Sequence, residues 1–272
     1  MLWSKAIGAG GAGGAVEGWN VSTAVFLQNF SVAAQDKNPR GVFFKLDGLK
    51  MYVSRGTAAA VLEYNLSTAW DISTAVFFQS VSTQAIGEAA IGPFFKPDGL
   101  KMYLLKSGAD QVAEFNLSTA WDISTAVFLH YYSVAGQDTN PSAMFFKPDG
   151  LKMYILGNTG DDINEYNLST AWDISTAVFL QRFSLSSFDT IPSSLFFKPD
   201  GLKMYFIGNS NDFLREFNLG TAWDISTAVF FQNFSIGFGD PTNTGLFFKP
   251  DGLKMYFTES TNDRVYEYDL TA

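Results

Sequence analysis

The chain repeats one pattern of hydrophobic and polar positions every 51 residues. Within each repeat, four short apolar runs are separated by turn residues, and in one copy these runs cover 195–198, 202–207, 213–219 and 227–235. The first two runs are joined by Pro-Asp-Gly, in which Pro presets φ and Gly takes a positive φ. No stretch keeps a 3.6-residue period, so helices are not expected. The pattern therefore predicts four short strands per repeat.

The predicted strands are apolar on both faces, because adjacent residues such as Phe196 and Phe197 must point in opposite directions. A sheet that is buried on both faces has this pattern. Four antiparallel strands in a repeat of about 50 residues are typical of a propeller blade. We therefore predict an all-β fold, a five-bladed β-propeller with four antiparallel strands per blade, over residues 18–272, preceded by a Gly/Ala-rich leader at 1–17.

The two ends of the repeat array predict how the ring closes. The last repeat stops after its third strand, at 267–272, and a spare fourth strand precedes the first complete repeat, at 23–32. Pairing this N-terminal strand with the three C-terminal strands completes the fifth blade and closes the ring. A linear solenoid would instead need capping repeats, and the sequence contains no such repeat.

The repeated residues resemble a known type of blade. The Lys-Pro-Asp-Gly turn, followed by Leu-Lys-Met-Tyr, a Gly/Asn/Asp turn and a strand ending in Glu-Tyr-Asn-Leu, is similar to the Pro-Asp-Gly repeats of NHL-type and surface-layer propellers; the first copy has Leu46 in place of Pro. This resemblance implies that the strand before Pro-Asp-Gly is the innermost strand of the blade. In the near-identity of its copies, the chain resembles repeat proteins of environmental bacteria and phages. A recently amplified or engineered array also has nearly identical copies. The chain resembles tachylectin-type sugar-binding propellers in blade number and repeat identity only.

Composition narrows the class of partner. The formal net charge is −9, from 27 acidic and 18 basic residues, which argues against a nucleic acid partner. The chain has no Cys, so disulfides and thiolate metal sites are excluded. No apolar run is long enough to span a bilayer. The leader does not have the apolar segment of a good signal peptide, so localisation stays open, with a surface or virion-associated location among the options. We expect a monomeric ring.

Variation among the five copies predicts two unlike faces. The Pro-Asp-Gly turns and the Trp-Asp connections barely change, and we call the side on which they emerge the constant face. The opposite side, the variable face, carries loops that differ in every copy. We expect the variable face, around the channel mouth, to be the recognition surface; drift in tolerant turns is the alternative. Its loops are the second-to-third turns (55–59, 106–110, 157–161, 208–212 and 259–263) and the links between repeats (34–42, 84–93, 136–144, 186–195 and 239–246).

Two sets of repeated side chains are candidates for a site. A carboxylate that recurs in the links could surround the channel mouth and hold Ca²⁺, unless each one caps its own turn. The Trp-Asp pairs on the constant face could form aromatic platforms for a sugar, unless each Trp is wedged between blades and each Asp bonds the turn backbone. The link carboxylates are Asp36, Asp138, Asp189 and Asp240, and the pairs are Trp70–Asp71, Trp121–Asp122, Trp172–Asp173 and Trp223–Asp224.

No nucleophile and base stand out together. Glu63 and its repeat equivalents are expected to bond a neighbouring Lys, and His130, the single histidine, replaces a Gln of the other copies. We therefore predict that the chain is not an enzyme but a binding module for a glycan or another cell-surface ligand, including a protein surface, with no cofactor apart from the Ca²⁺ considered above. A structural or display scaffold is the first alternative, and a hydrolase of glycans or phosphoesters is the second.

Overall fold

The computed structural model of the protein describes residues 18–56, 59–84, 90–236 and 243–271. These residues form five antiparallel sheets of four strands each. The innermost strands of neighbouring sheets contact one another around a central channel, and in four of the five sheets the other three strands follow outward in sequence order. The five-bladed propeller is therefore confirmed, and the strand before Pro-Asp-Gly is the innermost one. The leader at 1–17 and Asp240 lie outside the described residues.

Each blade is built from one innermost, two middle and one outermost strand. Blade 1 contains β2 (Pro39–Phe44), β3 (Lys50–Arg55), β4 (Ala60–Leu66) and β5 (Ala75–Ser82). Blade 2 contains β6 (Ile91–Phe95), β7 (Lys101–Lys106), β8 (Gln111–Leu117) and β9 (Ala126–Ser133). Blade 3 contains β10 (Pro141–Phe146), β11 (Lys152–Gly157), β12 (Asp162–Leu168) and β13 (Ala177–Ser184). Blade 4 contains β14 (Pro192–Phe197), β15 (Lys203–Gly208), β16 (Phe213–Leu219) and β17 (Ala228–Ser235).

Blade 5 is made from both ends of the described chain. Its three inner strands are β18 (Asn243–Phe248), β19 (Lys254–Glu259) and β20 (Arg264–Asp269), and its outermost strand is β1 (Val25–Ser31). Strand β1 pairs antiparallel with β20, with Val25 opposite Asp269 and Ser31 opposite Arg264. The predicted closure by an N-terminal strand is therefore confirmed.

Short 3₁₀ turns precede the outermost strands, although no helix was expected. In Ile123–Thr125 the side chain of Asp122 accepts a hydrogen bond from the Ser124 amide and caps the turn. Three residues are too few to produce a helical period in the sequence. The equivalent turns are Val21–Thr23, Ile72–Thr74, Ile174–Thr176 and Ile225–Thr227, and a further 3₁₀ turn lies at Ser107–Ala109.

Neighbouring blades meet in a repeated aromatic contact. Tyr154 of blade 3 lies 4.4 Å from Phe197 of blade 4, centroid to centroid, and its hydroxyl donates to the main-chain oxygen of Trp223 at 2.7 Å. Burial raises the pKa of the Tyr154 hydroxyl, which keeps the phenol protonated as a donor. The same bond joins the other four pairs of blades at 2.7–2.9 Å, from Tyr52, Tyr103, Tyr205 and Tyr256.

A polar contact repeats toward the outside of each blade junction. The amide of Gln79 on β5 donates to Glu63 of its own blade at 2.8 Å and to Asp122 of the next blade at 3.0 Å. We call this arrangement the Gln clasp. Glu63 is fully buried and also bonds Lys50, so the predicted pairing with a neighbouring Lys is confirmed. The lysine pairs with the equivalent Glu in the other four blades as well.

In the described part of the chain, no helix is long and apolar enough to cross a membrane.

Candidate functional site

The central channel is closed toward the constant face by five phenylalanines. The rings contact their neighbours in a closed circle, with centroids 5.1–5.5 Å apart and mainly edge-to-face geometry. Such edge-to-face contacts are favourable because the positive ring edge meets the negative face of the next ring. Among the described residues, the wider opening of the channel therefore lies on the variable face. The five are Phe43, Phe94, Phe145, Phe196 and Phe247.

Between this ring and the mouth, the channel is narrow. The innermost strands come close together here, since a Cβ on Gly41 would lie 2.5 Å from the Cα of Gly92, and a Cβ on Gly245 would lie 2.5 Å from the Cα of Gly41. The cavity at this level measures about 50 Å³. That volume suits a few water molecules rather than an organic ligand.

The mouth on the variable face is wider and polar. It encloses about 230 Å³, which is slightly below the usual range for small-molecule sites. Five lining positions are repeat equivalents, one from each innermost strand, and among these only the first copy carries a charge. They are Arg40, Ile91, Ser142, Ser193 and Thr244, and the remaining lining residues are Asn38, Asn158, Ile191, Asn209 and Ser260.

Arg40 is the single cation that lines this mouth among the described residues. It is half-buried, and its guanidinium forms no salt bridge with a described residue. A planar guanidinium presents five donors that match the oxygens of a carboxylate or phosphate. The mouth therefore offers one strong binding point for an anionic group.

The other polar groups at the mouth offer hydrogen-bond acceptors. Asn158 and Asn209 each have a buried side-chain oxygen without a hydrogen-bond partner in the described part of the chain. The Ser142 hydroxyl donates to Pro192 at 2.7 Å, and the Thr244 hydroxyl donates to Pro39 at 2.9 Å, so their protons are already used. A buried acceptor without a partner costs free energy unless a donor reaches it. These oxygens suit the hydroxyl groups of a ligand.

The three described link carboxylates, Asp36, Asp138 and Asp189, are buried beneath the variable loops, where they bond loop amides and neighbouring Arg side chains. Asp138 accepts from the amides of Asn140, Thr159 and Gly160 at 2.7–3.0 Å. Asp189 accepts from Arg215 at 3.1 Å and from Ile191 at 2.9 Å. Asp36, Asp138 and Asp189 do not come together as a cluster of metal ligands. Asp36 accepts from Gly56 at 3.3 Å, and the Ca²⁺ site expected from these residues and Asp240 stays a prediction.

The Trp-Asp pairs lie within the structure of the constant face. Trp121 is only 8% exposed, and its indole covers Gly99, which has a φ of +74°. Asp122 accepts from the hydroxyl of Ser124 at 2.7 Å and from Gln79 of the preceding blade. The indole of Trp121 is not free to stack on a sugar, so this geometry gives no support to the sugar-binding role, which stays a prediction. The same holds for Trp70, Trp172 and Trp223, which are 6–8% exposed, with Asp71, Asp173 and Asp224 capping the adjacent turns.

Arg40 was not recognised as a candidate from the sequence. It does not belong to a motif, and the signal that could have revealed it is the break in the repeat, since Ile, Ser, Ser and Thr occupy the equivalent positions. A search for residues that all copies share does not find a residue that occurs in one copy only.

Solved structures of other proteins share the fold. A protein from Lactobacillus plantarum aligns with a TM-score of 0.54 and 16% identity, over 85% of this chain and 67% of that chain. A 6-phosphogluconolactonase candidate from Bacteroides uniformis aligns with a TM-score of 0.50 and 15% identity, over 80% of this chain and 63% of that chain. A periplasmic gluconolactonase from Pseudomonas aeruginosa aligns with a TM-score of 0.46 and 18% identity, over 72% of this chain and 53% of that chain. The chain thus spans about half to two thirds of the length of these proteins, and identities this low show the propeller fold alone.

No protein-family model matches the chain, and no curated protein matches it in sequence. The five-bladed propeller therefore stands, while the resemblance to NHL-type, surface-layer and tachylectin propellers is not confirmed.

The predicted function is contradicted. We expected a non-enzymatic module for a glycan or another cell-surface ligand, whereas the proteins that share the fold include a lactonase candidate. The prediction relied on the variable loops as a recognition surface and on the lack of a nucleophile–base pair, and it did not consider a site built on a residue present in one copy, such as Arg40. The expectation that the chain is not an enzyme has no support from the fold.

Proposed function

We propose that the protein is a hydrolase of the lactone-opening type, and that its substrate is a small anionic molecule with several hydroxyl groups bound at the channel mouth. The observation that carries the proposal is Arg40, the one charged side chain that lines the described mouth. The name of the similar protein from Bacteroides uniformis suggests a chemical class that fits, the lactone of a phosphorylated sugar acid.

The mouth suits this class by charge and by hydrogen bonding. In the proposed complex, Arg40 binds the anionic group through two parallel hydrogen bonds. The side-chain oxygens of Asn158 and Asn209 accept from the hydroxyl groups, which removes the cost of leaving these buried acceptors unpaired. The volume of about 230 Å³ limits the substrate to a small molecule.

The proposed reaction is the hydrolysis of a lactone by water. A water oxygen attacks the lactone carbonyl carbon, the bond from that carbon to the ring oxygen breaks, and the ring oxygen takes a proton to become a hydroxyl. The product is a hydroxy acid, which releases a proton at neutral pH. Holding the substrate and stabilising the negative charge that develops on the carbonyl oxygen are the main sources of acceleration for such a step.

The test is the hydrolysis of 6-phosphogluconolactone, measured above the spontaneous rate for the wild type and for Arg40→Ser. Serine occupies the equivalent position in blades 3 and 4, so the variant should fold. A hydrogen bond to a charged group contributes about 1.5–3 kcal/mol, and we therefore expect KM to rise roughly ten- to a hundredfold. Unphosphorylated gluconolactone should be hydrolysed less efficiently by the wild type and should lose little in the variant.

Arg182→Asn is the matched control. Its side chain is 68% exposed on the outermost strand of blade 3, and Asn occupies the equivalent position in β1 and β17. This variant loses the same charge far from the mouth and should keep the wild-type KM. A wild type that does not exceed the spontaneous rate on either lactone would refute the proposal. An Arg40→Ser variant with the kinetics of the wild type would remove Arg40 from it.

A further inference from the structure

One of the five blade junctions lacks the Gln of the outer polar contact. In four junctions a Gln completes the Gln clasp, donating at 2.8–2.9 Å to a Glu of its own blade. At the junction of blades 2 and 3, His130 stands in its place. The Nε2 atom of His130 lies 3.4 Å from Glu114 Oε2 and 3.9 Å from Asp173 Oδ1. Neither distance supports a strong hydrogen bond.

The imidazole nitrogen is therefore left in an unusual position. Nε2 is buried and has no hydrogen-bond partner in the described part of the chain, although two carboxylates face it. A buried polar atom without a partner in a native fold needs an explanation, and an ion is one of the few available. One nitrogen and two carboxylate oxygens converging on one point are typical ligands of a divalent transition metal.

We propose that Glu114, His130 and Asp173 form a binding site for a divalent transition metal of the Zn²⁺ class between blades 2 and 3. The three ligand atoms lie within 4.8 Å of one another. Bonds of about 2.0–2.2 Å from a tetrahedral ion place its ligand atoms roughly 3.3–3.5 Å apart. The 3.4 Å separation from Glu114 already fits this geometry, and the 3.9 Å separation from Asp173 closes with a small side-chain movement.

The surroundings hold the ligands in place and leave one side open. Glu114 is fully buried, and its Oε2 accepts from the amide of Ile174 at 3.2 Å. Asp173 Oδ1 accepts from the amide and the hydroxyl of Ser175 at 3.0 and 2.6 Å. Bonds of this kind orient the first ligands of metal sites. The side chains of His130 and Asp173 are 30% and 34% exposed, so an ion can enter from solvent and keep a water as its fourth ligand.

One positive charge opposes the ion. Lys101 pairs with Glu114 Oε1, which leaves Oε2 for the metal but lowers the attraction of the site for a cation. We therefore expect an affinity in the micromolar range rather than that of a structural zinc site.

The composition makes the site unusually easy to test. The chain has one His and no Cys, so His130 is the only nitrogen or sulfur ligand of the usual kinds. His130→Gln restores the residue found at the other four junctions and should leave the fold unchanged. The reverse change, Gln79→His, places an imidazole between Glu63 and Asp122, which are the repeat equivalents of Glu114 and Asp173.

The experiment is a calorimetric titration of ZnCl₂ into the full-length, untagged protein, together with thermal melts in the presence of Zn²⁺ or EDTA. We expect one ion per wild-type chain, at least tenfold weaker binding to His130→Gln, and two ions per Gln79→His chain. Zn²⁺ at a hundredfold excess over Kd should raise the wild-type Tm by about 5 °C. It should leave the Tm of His130→Gln unchanged, and the two proteins should melt together in EDTA.

Co²⁺ in place of Zn²⁺ reports the coordination geometry through its visible absorption. Tetrahedral coordination should give visible absorption bands in the wild type that are lost in His130→Gln. Binding of Zn²⁺ to His130→Gln with wild-type affinity, or no Zn²⁺ binding by the wild type, would overturn the proposal and leave His130 as a replacement for Gln. The site lies on the outer side of the ring, so neither outcome affects the proposed hydrolase at the channel mouth.

Discussion

The blade junctions and the channel mouth are made from the same five copies, but they have diverged to different extents. At every junction a Tyr hydroxyl donates to the main-chain oxygen of a Trp in the next blade. At the mouth, the five equivalent positions are Arg, Ile, Ser, Ser and Thr. Residues at a junction are enclosed by a neighbouring copy, whereas those at the mouth also border a shared open space.

The contrast indicates which positions in a ring of repeats can diverge most readily. A change at a junction disturbs two blades, because each member bonds across the boundary. A side chain at the mouth also borders the open channel, so one copy can carry a charge, as at Arg40, while Ser142 and Thr244 bond the neighbouring blade. Both proposed sites depend on a residue that breaks the repeat, and each can be removed by restoring the residue of the other copies.

The largest effect is expected from Gly99→Ala on the constant face. Gly99 has a φ of +74°, and an added Cβ would lie 2.4 Å from the indole of Trp121. Left-handed backbone strain and displacement of a buried ring should together cost roughly 3 kcal/mol or more. In a protein of this size that lowers Tm by about 6–12 °C, measurable by calorimetry.

Gly136→Ala is the matched change on the variable face. Apart from its two chain neighbours, no atom of the described residues lies within 4 Å of the position that its Cβ would take. Its unfolding free energy should stay within about 0.5 kcal/mol of the wild type. Equal losses from the two variants would contradict the contrast between the constant face and the variable face.

A smaller effect is expected from Tyr154→Phe, which deletes one hydroxyl at a junction. The hydroxyl is buried and donates to Trp223 at 2.7 Å, so its removal leaves a buried carbonyl without that donor. The expected cost is about 1–2 kcal/mol, read from denaturant unfolding. Tyr131→Phe is the control, because Tyr131 is 36% exposed on the outermost strand of blade 2. If Tyr131→Phe destabilised the protein as much as Tyr154→Phe, the bond across the junction would not be the cause.

The sequence was informative about the constant parts and much less so about the mouth. Pro-Asp-Gly predicted a turn with a positive φ, and Gly201 has a φ of +74°. Strand alternation could not predict which of two adjacent phenylalanines faces the channel. The register shifts within the innermost strands, for example between Pro141 and Ala143, and such a bulge breaks the alternation of side-chain directions. For the same reason the position of Arg40 at the mouth could not be derived from its place in the strand.

The smallest expected effect is a difference in the pH dependence of stability between the constant face and the channel mouth. On the constant face, hydrogen bonds from the Ser124 hydroxyl and from Gln79 lower the pKa of Asp122, and the pKa values of Asp71 and Asp224 are lowered in the same way. A pKa below that of the unfolded chain, about 3.9, means that these groups add stability above that pH and lose it as the pH falls through the folded-state pKa.

Asn20 occupies the equivalent position in the turn before β1 and accepts from Ser22 at 3.1 Å without titrating. The triple variant Asp71→Asn, Asp122→Asn, Asp224→Asn should therefore keep its caps, since Asn and Asp cap equally well. Its Tm should fall a few degrees less than that of the wild type between pH 5 and pH 3. Identical falls in the two proteins would show that these caps do not contribute to acid sensitivity. Arg40→Ser, which changes only the mouth, should follow the wild-type curve.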